Sequence, residues 1–136
     1  MSNIEKTLSI IKPDAVKRNL ENEIKNEFKN KGFKIIKEKK IQLAKSEAED
    51  FYKVHETKSF YNDLCAYLSS GPIVAMILEK DNAVLANREL MGATNPEEAQ
   101  EGTIRKKYGI SIDKNSIHGS DSVENGKIEI DFFFKD

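Results

Sequence analysis

The chain of 136 residues has no tryptophan, one cysteine and three prolines, and its charge leans to neither sign. A lone Cys65 excludes an internal disulfide and a multi-thiolate metal site, and this thiol economy suits a reducing compartment, so the chain is expected to be cytoplasmic. Lys and Arg number 22 against 23 Asp and Glu, a formal charge of −1. Affinity for nucleic acid draws on a surplus of Lys and Arg, so no stable nucleic-acid partner is expected and any phosphate site must be a local cluster. Long apolar runs are also missing. The longest, Ile73 to Leu78, falls far short of the ~20 residues that span a bilayer. Met1 to Lys6 lacks the apolar centre of a signal peptide, and no membrane association is expected.

What is present is 38% hydrophobic and 33% charged residues, the balance of a globular protein with a charged surface. A chain of this size buries roughly two-thirds of its unfolded surface, enough for a core without metal or disulfide support. No linker, repeat or low-complexity tract divides it, so residues 1–136 are expected to form one domain.

Thr7 to Ile11 is rich in β-branched residues and is closed by Lys12-Pro13, which predicts a strand running into a loop. Asp14 to Lys31 reads as one helix, with Leu20, Ile24 and Phe28 on one face and Gly32 as its stop. Phe33 to Leu43 reads as a strand whose alternation Lys37 and Lys39 interrupt. Ser46-Glu47-Ala48-Glu49 matches a capping box, predicting a helix from Glu47 that carries Ala48, Tyr52 and His55 on one side. Helix is expected over Phe60 to Leu68 and Asn82 to Met91, with a buried strand at Ile73 to Leu78 between them. Ala93 to Ile117 shows little regular pattern and is long for an inert loop. A short helix at Ser120 to Asn125, capped by Ser120 or Asp121, and a strand from Ile128 to Phe134 complete the reading. Four strands with adjacent helices between them suit an α/β, ferredoxin-like βαββαβ arrangement: a four-stranded antiparallel sheet covered by helices.

There is no Walker-A pattern, paired-glycine dinucleotide turn, His-Glu-x-x-His or Gly-x-Ser-x-Gly, and two histidines 63 positions apart do not suggest a protein-held metal. The informative segment is Asn115 to Ser122, Asn-Ser-Ile-His-Gly-Ser-Asp-Ser, which sets His118 between an apolar strand residue and a Gly-Ser-Asp turn. Attack by histidine on a phosphoryl group needs a neutral ring nitrogen, a neighbour that fixes the ring, and cations around the phosphate oxygens. Lys12, Arg88 and Arg105 can supply the cations, and Glu129 is a candidate orienter. Taken singly, Phe60 and Tyr52 read as packing residues, Arg88 as a helix-end charge and Glu129 as a surface partner of Lys127 or Lys135.

Taken together, these segments resemble the nucleoside diphosphate kinase family over almost the whole chain. The blocks Thr7 to Asp14, Ser70-Gly71-Pro72, Arg88 to Pro96, Gly102 to Arg105 and Asn115 to Ser122 stand in the family's order and spacing. The resemblance implies a ping-pong transfer in which His118 takes the γ-phosphoryl group of a nucleoside triphosphate, typically ATP, and hands it to a nucleoside diphosphate. It further implies that Lys12 and Asn115 bond the sugar hydroxyls and nearby phosphate oxygens, that Phe60 stacks on the base, and that Ile112 lies on the base's other side. Arg88, Thr94 and Arg105 would hold the diphosphate, Tyr52 and His55 would line the phosphate end, and Glu129 with Ser120 would support the catalytic imidazole. Mg²⁺ would arrive on the nucleotide rather than in a protein cage. Family members are hexamers or tetramers built on a common dimer, and the hexamer is favoured here. Glu101, Ser59 and Asn22 depart from residues frequent in the family, and none of them removes a catalytic group. The alternatives are a catalytically silent member that binds nucleotide, and a nucleic-acid binding module built on the same kind of sheet.

Overall fold

The strand β1 (Ile4–Ile11) runs antiparallel to β3 (Ile73–Asp81) along its whole length, with Ile4 opposite Asp81 and Ile11 opposite Val74. The computed structural model describes residues 4–111 and 114–134. β2 (Lys34–Ile41) borders β3, and β4 (Ile117–Gly119) borders β1, giving the antiparallel order β2-β3-β1-β4. This is the expected ferredoxin-like sheet. Among the described residues no helix is long and apolar enough to cross a membrane.

Side chains alternate across a strand, so the central strands feed two cores. On one face Ile11, Val74, Met76, Leu78 and Ile117 pack against α1 (Pro13–Lys17), α2 (Glu21–Asn30), α5 (Ala83–Met91) and α6 (Ile104–Tyr108). On the other, Leu8, Ile10, Ile73 and Ala75 meet α3 (Lys45–Phe51), α4 (Tyr61–Leu68) and α7 (Val123–Phe134). His118 is paired with Ile10 and therefore faces the second core, while Ile117 points into the first.

Several elements differ from the sequence expectation. Asp14 to Lys31 is two helices, because Asn19 takes a left-handed φ of 60° and breaks the run. In β2 the register shifts between Ile35 and Lys37. An extra residue turns the strand over, so Ile35 packs on the first core and Ile41 on the second. The α3 cap lies two residues earlier than the Ser46 pattern suggests, with Glu47 Oε1 accepting from the Ala44 amide at 2.9 Å. Tyr52 caps the end of α3, and His55 follows in a 3₁₀ turn, Lys53–His55, rather than on the same helix. The Ala93 to Ile117 stretch contains a 3₁₀ turn, Pro96–Glu98, and α6.

The largest correction concerns the C-terminal region. Ile128 to Phe134 is not a strand but the second half of α7, and the fourth strand is Ile117–Gly119. The alternation of Ile128, Ile130, Phe132 and Phe134 imitates a strand, yet the buried residues of the element, Gly126 and Phe133, recur at helical spacing while Ile128 is 67% exposed. The helix is started by Ser122, not Ser120 or Asp121: Ser122 Oγ accepts from the Asn125 amide at 3.0 Å.

Candidate active site

β4 is short, and two features hold it in place. Ser9 Oγ on β1 donates to the His118 carbonyl at 2.9 Å. Gly119 lets α5 close onto the strand, since a Cβ there would stand 2.4 Å from Asn87 Nδ2 and 2.8 Å from Met91 Cε. The His118 ring is thereby aimed at α7, where its Nε2 lies 3.0 Å from Glu129 Oε1. Glu129 sits on a helix rather than on the strand expected for it, one turn before the buried Phe133. Ser120 Oγ donates to the same Glu129 oxygen at 2.8 Å, and Ser120 is itself tied to β1 by its amide, which donates to the Leu8 carbonyl at 3.1 Å.

A carboxylate oxygen only accepts, so this contact requires the proton on Nε2 and leaves Nδ1 with the lone pair. Phe51 closes the ring's other side edge-on, with centroids 5.4 Å apart. Sequence reasoning does not single out Phe51, because nothing separates it from an ordinary core aromatic. It also contacts Tyr52, Phe132 and Phe133, so it joins α3 to α7 around the imidazole.

The candidate cations come from other elements, Arg88 from α5, Arg105 from α6 and Lys12 from the turn after β1. Arg105 on α6 is buried and donates through Nη1 to the Gly92 carbonyl at 3.0 Å and through Nη2 to the Ile117 carbonyl at 2.9 Å. Its Nε has no hydrogen-bond partner among the described residues. Burial, and then the positive charge of Arg88, lower its pKa to about 10, which still leaves it charged at neutral pH. Gly92, at φ 85°, ends α5 and turns the chain so that its carbonyl meets Arg105. Arg88 itself is exposed near the end of α5, beside a cavity of about 420 Å³ that none of the other expected residues lines.

Lys12, at the end of β1, is buried and donates from Nζ to Asn115 Oδ1 at 2.9 Å. Asn115 Nδ2 donates in turn to the Thr94 carbonyl at 3.1 Å. Lys12, Asn115 and Thr94 thus form one chain of contacts. A second chain is aromatic: Tyr52 and His55 rings lie 6.3 Å apart, and His55 and Phe60 rings 6.1 Å. Phe60 is 47% exposed and stands before α4 with the Lys58 ammonium over its ring. Burial and then the Glu129 carboxylate push the Tyr52 phenol above its ordinary value, so it acts as a neutral donor. His55 Nδ1 is buried without a hydrogen-bond partner among the described residues. Ile112, expected beside the base, lies outside the described residues.

The chemistry available is a ring nitrogen left free by a carboxylate contact, with a guanidinium held by two main-chain carbonyls, one of them that of Ile117 next to His118, an arrangement suited to phosphoryl groups. Residues 5–136 match the family model described as nucleoside diphosphate kinase. A nucleoside diphosphate kinase of Persephonella marina is 55% identical over 131 residues, covering 96% of this chain and 94% of that protein. One from Campylobacter jejuni is 57% identical over 132 residues, covering 97% and 96%. Among solved structures, the Aquifex aeolicus nucleoside diphosphate kinase superposes with a TM-score of 0.95 at 38% identity, covering 97% of this chain and 96% of that one. The Encephalitozoon cuniculi enzyme gives 0.93 at 39% identity, covering 97% and 90%.

Proposed function

Because the chain belongs to the nucleoside diphosphate kinase family, it is a phosphotransferase acting on nucleotides, and we propose that its phosphoryl carrier is His118. The observation that carries this reading is the contact of Nε2 with Glu129. In the first half-reaction Nδ1 attacks the γ-phosphorus of a nucleoside triphosphate. The N–P bond forms as the bridging P–O bond breaks, and the nucleoside diphosphate departs with those electrons. In the second half, a terminal oxygen of another nucleoside diphosphate attacks the phosphohistidine, and the freed electron pair returns to Nδ1. Glu129, held by Ser120, keeps the ring oriented and stabilises the positive charge it gains on phosphorylation.

Arg105 and Arg88, with Thr94, hold the transferring phosphates, Tyr52 and His55 line their end of the site, and Lys12 and Asn115 bond the sugar hydroxyls and adjacent oxygens. Phe60 stacks on the base from one side and Ile112 covers the other. Stacking is tolerant of base identity, which suits maintenance of both ribo- and deoxyribonucleotide pools. Nucleotide kinases work with a divalent cation on the phosphates. Among the described residues no group of three or more His, Cys, Asp and Glu side chains could hold a metal ion. The site is cationic and fits phosphate oxygens, so the metal, read as Mg²⁺, comes with the nucleotide and neutralises phosphate charge there. The chain is read as one domain over residues 1–136, as a homo-oligomer with the hexamer favoured over the tetramer, and as cytoplasmic. A silent binding role is not favoured, since His118, Lys12, Arg88 and Arg105 are all present in the sequence.

The test is incubation with γ-labelled ATP and Mg²⁺ without acceptor. An acid-labile, alkali-stable label on His118 that added diphosphate discharges supports the reading; folded, nucleotide-binding protein that takes no label refutes it.

A further inference from the structure

Asp14 follows the Lys12-Pro13 turn, and its side chain is only 3% exposed. A carboxylate is seldom left in such a place unless its oxygens are satisfied. Here donors converge from three segments. The Tyr67 hydroxyl, at the end of α4, bonds Oδ1. Arg18 Nη2, one turn further along the chain, donates to Oδ2 at 3.1 Å. Ser116 Oγ, on the lead-in to β4, lies 2.9 Å from the same oxygen. The Asp14 amide also donates to the Tyr67 oxygen at 3.0 Å, so both its main chain and its side chain are bound to α4. Arg18 Nη2 reaches further, to Ser116 Oγ at 3.1 Å and to the carbonyl of Tyr108 at the end of α6.

Ser116 has a φ of 76° and is fully buried. A non-glycine residue keeps that conformation only where its surroundings over-determine it. Here they do so through the Asp14 carboxylate and a main-chain bond, the Lys12 amide donating to the Ser116 carbonyl at 2.9 Å. Directly beside these residues in the chain stand Lys12 and Asn115, whose side chains bond each other. Among the described residues the His118–Glu129–Ser120 group makes no hydrogen bond with Asp14.

We propose that Asp14 is a positioning residue for the nucleotide: its buried carboxylate, bonded to Ser116, Tyr67 and Arg18, fixes Lys12 and Asn115 at the spacing that the sugar and adjacent phosphate require. The inference rests on the nucleotide-binding role given above to Lys12 and Asn115, and it separates binding geometry from the reactivity of His118. Asp14→Asn keeps the shape but turns an NH₂ group towards one of the converging donors. Ser116→Ala removes the bond between Asp14 and the lead-in to β4, together with the contacts of that hydroxyl to Arg18 and the Tyr108 carbonyl, and Tyr67→Phe removes the α4 hydroxyl while leaving the Ser116 bond intact.

The experiment compares two readouts for each variant: ADP affinity by calorimetry, and loading of His118 by phosphoramidate, a small phosphoryl donor with no sugar or base. Asp14→Asn and Ser116→Ala are expected to weaken ADP by about ten- to a hundredfold, the scale of a mispositioned binding group, while phosphoramidate loading falls far less; Tyr67→Phe should show a smaller loss of the same kind. Unchanged ADP affinity, or equal losses in both readouts, overturns the proposal. If Asp14→Asn fails to fold, as judged by circular dichroism, Ser116→Ala decides by the same criteria. Failure of the wild-type protein to load His118 would count against the phosphohistidine reading, while the ADP comparison would still judge Asp14.

Discussion

Two groups that meet at β4, the His118 ring and the Arg105 guanidinium, treat charge in opposite ways. His118 meets the Phe51 ring edge-on and the Glu129 carboxylate, which accepts a hydrogen bond from Nε2. Arg105 is held by two carbonyls, and burial and then the charge of Arg88 lower its pKa to about 10, which leaves it charged at neutral pH. Surface cations elsewhere behave differently: Lys25, Lys40 and Lys107 each pair with a glutamate. Carbonyl dipoles fix a guanidinium without neutralising it, so its charge stays available to an anion, whereas an ion pair uses that charge up. In the proposed site an oriented nucleophile is thus combined with a guanidinium that no carboxylate among the described residues neutralises.

Substitutions at the two groups should fail in different ways. The largest effect is expected for His118→Ala: phosphoenzyme formation is lost entirely while calorimetry still detects ADP binding. Loss of both together would mean that His118 is a structural residue.

Next is Arg105→Ala, which removes a cation together with two carbonyl anchors. A fall in kcat/KM of about 2–4 kcal/mol is expected, the cost of one electrostatic group at developing charge, with the phosphohistidine still formed slowly. Its pH dependence follows from the lowered pKa. Arg105 loses its proton earlier than an exposed arginine, so ADP affinity holds through neutral pH and drops as pH nears about 10. In stability the sign is reversed: the unfolded chain binds that proton more tightly, so the buried charge costs stability at neutral pH and the cost is relieved as pH rises through about 10. Titrations of ADP affinity and of thermal stability across that range should therefore move in opposite directions from this group.

Gly119→Ala attacks the strand at which the two groups meet. The added methyl must displace Asn87 or Met91, whose atoms stand 2.4 and 2.8 Å from its position. Overpacking of this kind costs about 1–3 kcal/mol in chemical denaturation, and His118 should lose rate through displacement from Glu129. Phe60→Ala, furthest from the reacting atoms, should weaken binding of every base by about 1–3 kcal/mol. A loss confined to one base would contradict stacking.

The parts of the site differ in how well the sequence announces them. Lys12 follows the apolar run Thr7 to Ile11, while Asn115 and His118 are marked by the Asn115 to Ser122 segment and not by strand composition, since β4 lies outside the expected strands; β1 and β3 are legible in their apolar runs, Thr7 to Ile11 and Ile73 to Leu78. Glu129 was legible as a partner but not in its setting. Ile128, Ile130, Phe132 and Phe134 alternate like a strand, and only burial of Gly126 and Phe133 reveals the helical face. The break at Asn19 and the register shift after Ile35 depend on single backbone residues, which periodicity averages over. Phe51 and the Asp14 cluster needed long-range contacts: Tyr67 and Ser116 are 53 and 102 positions from Asp14. No local pattern carries such a relation.

The most direct measurement of the central claim is the identity of the ring nitrogen that carries phosphate, read by phosphorus and nitrogen NMR on the denatured phosphoenzyme. With Nε2 committed to Glu129, the phosphoryl group is predicted on Nδ1 of His118. Phosphate on Nε2 would mean that the Glu129 contact breaks before transfer, and would contradict the account of how this ring is made nucleophilic.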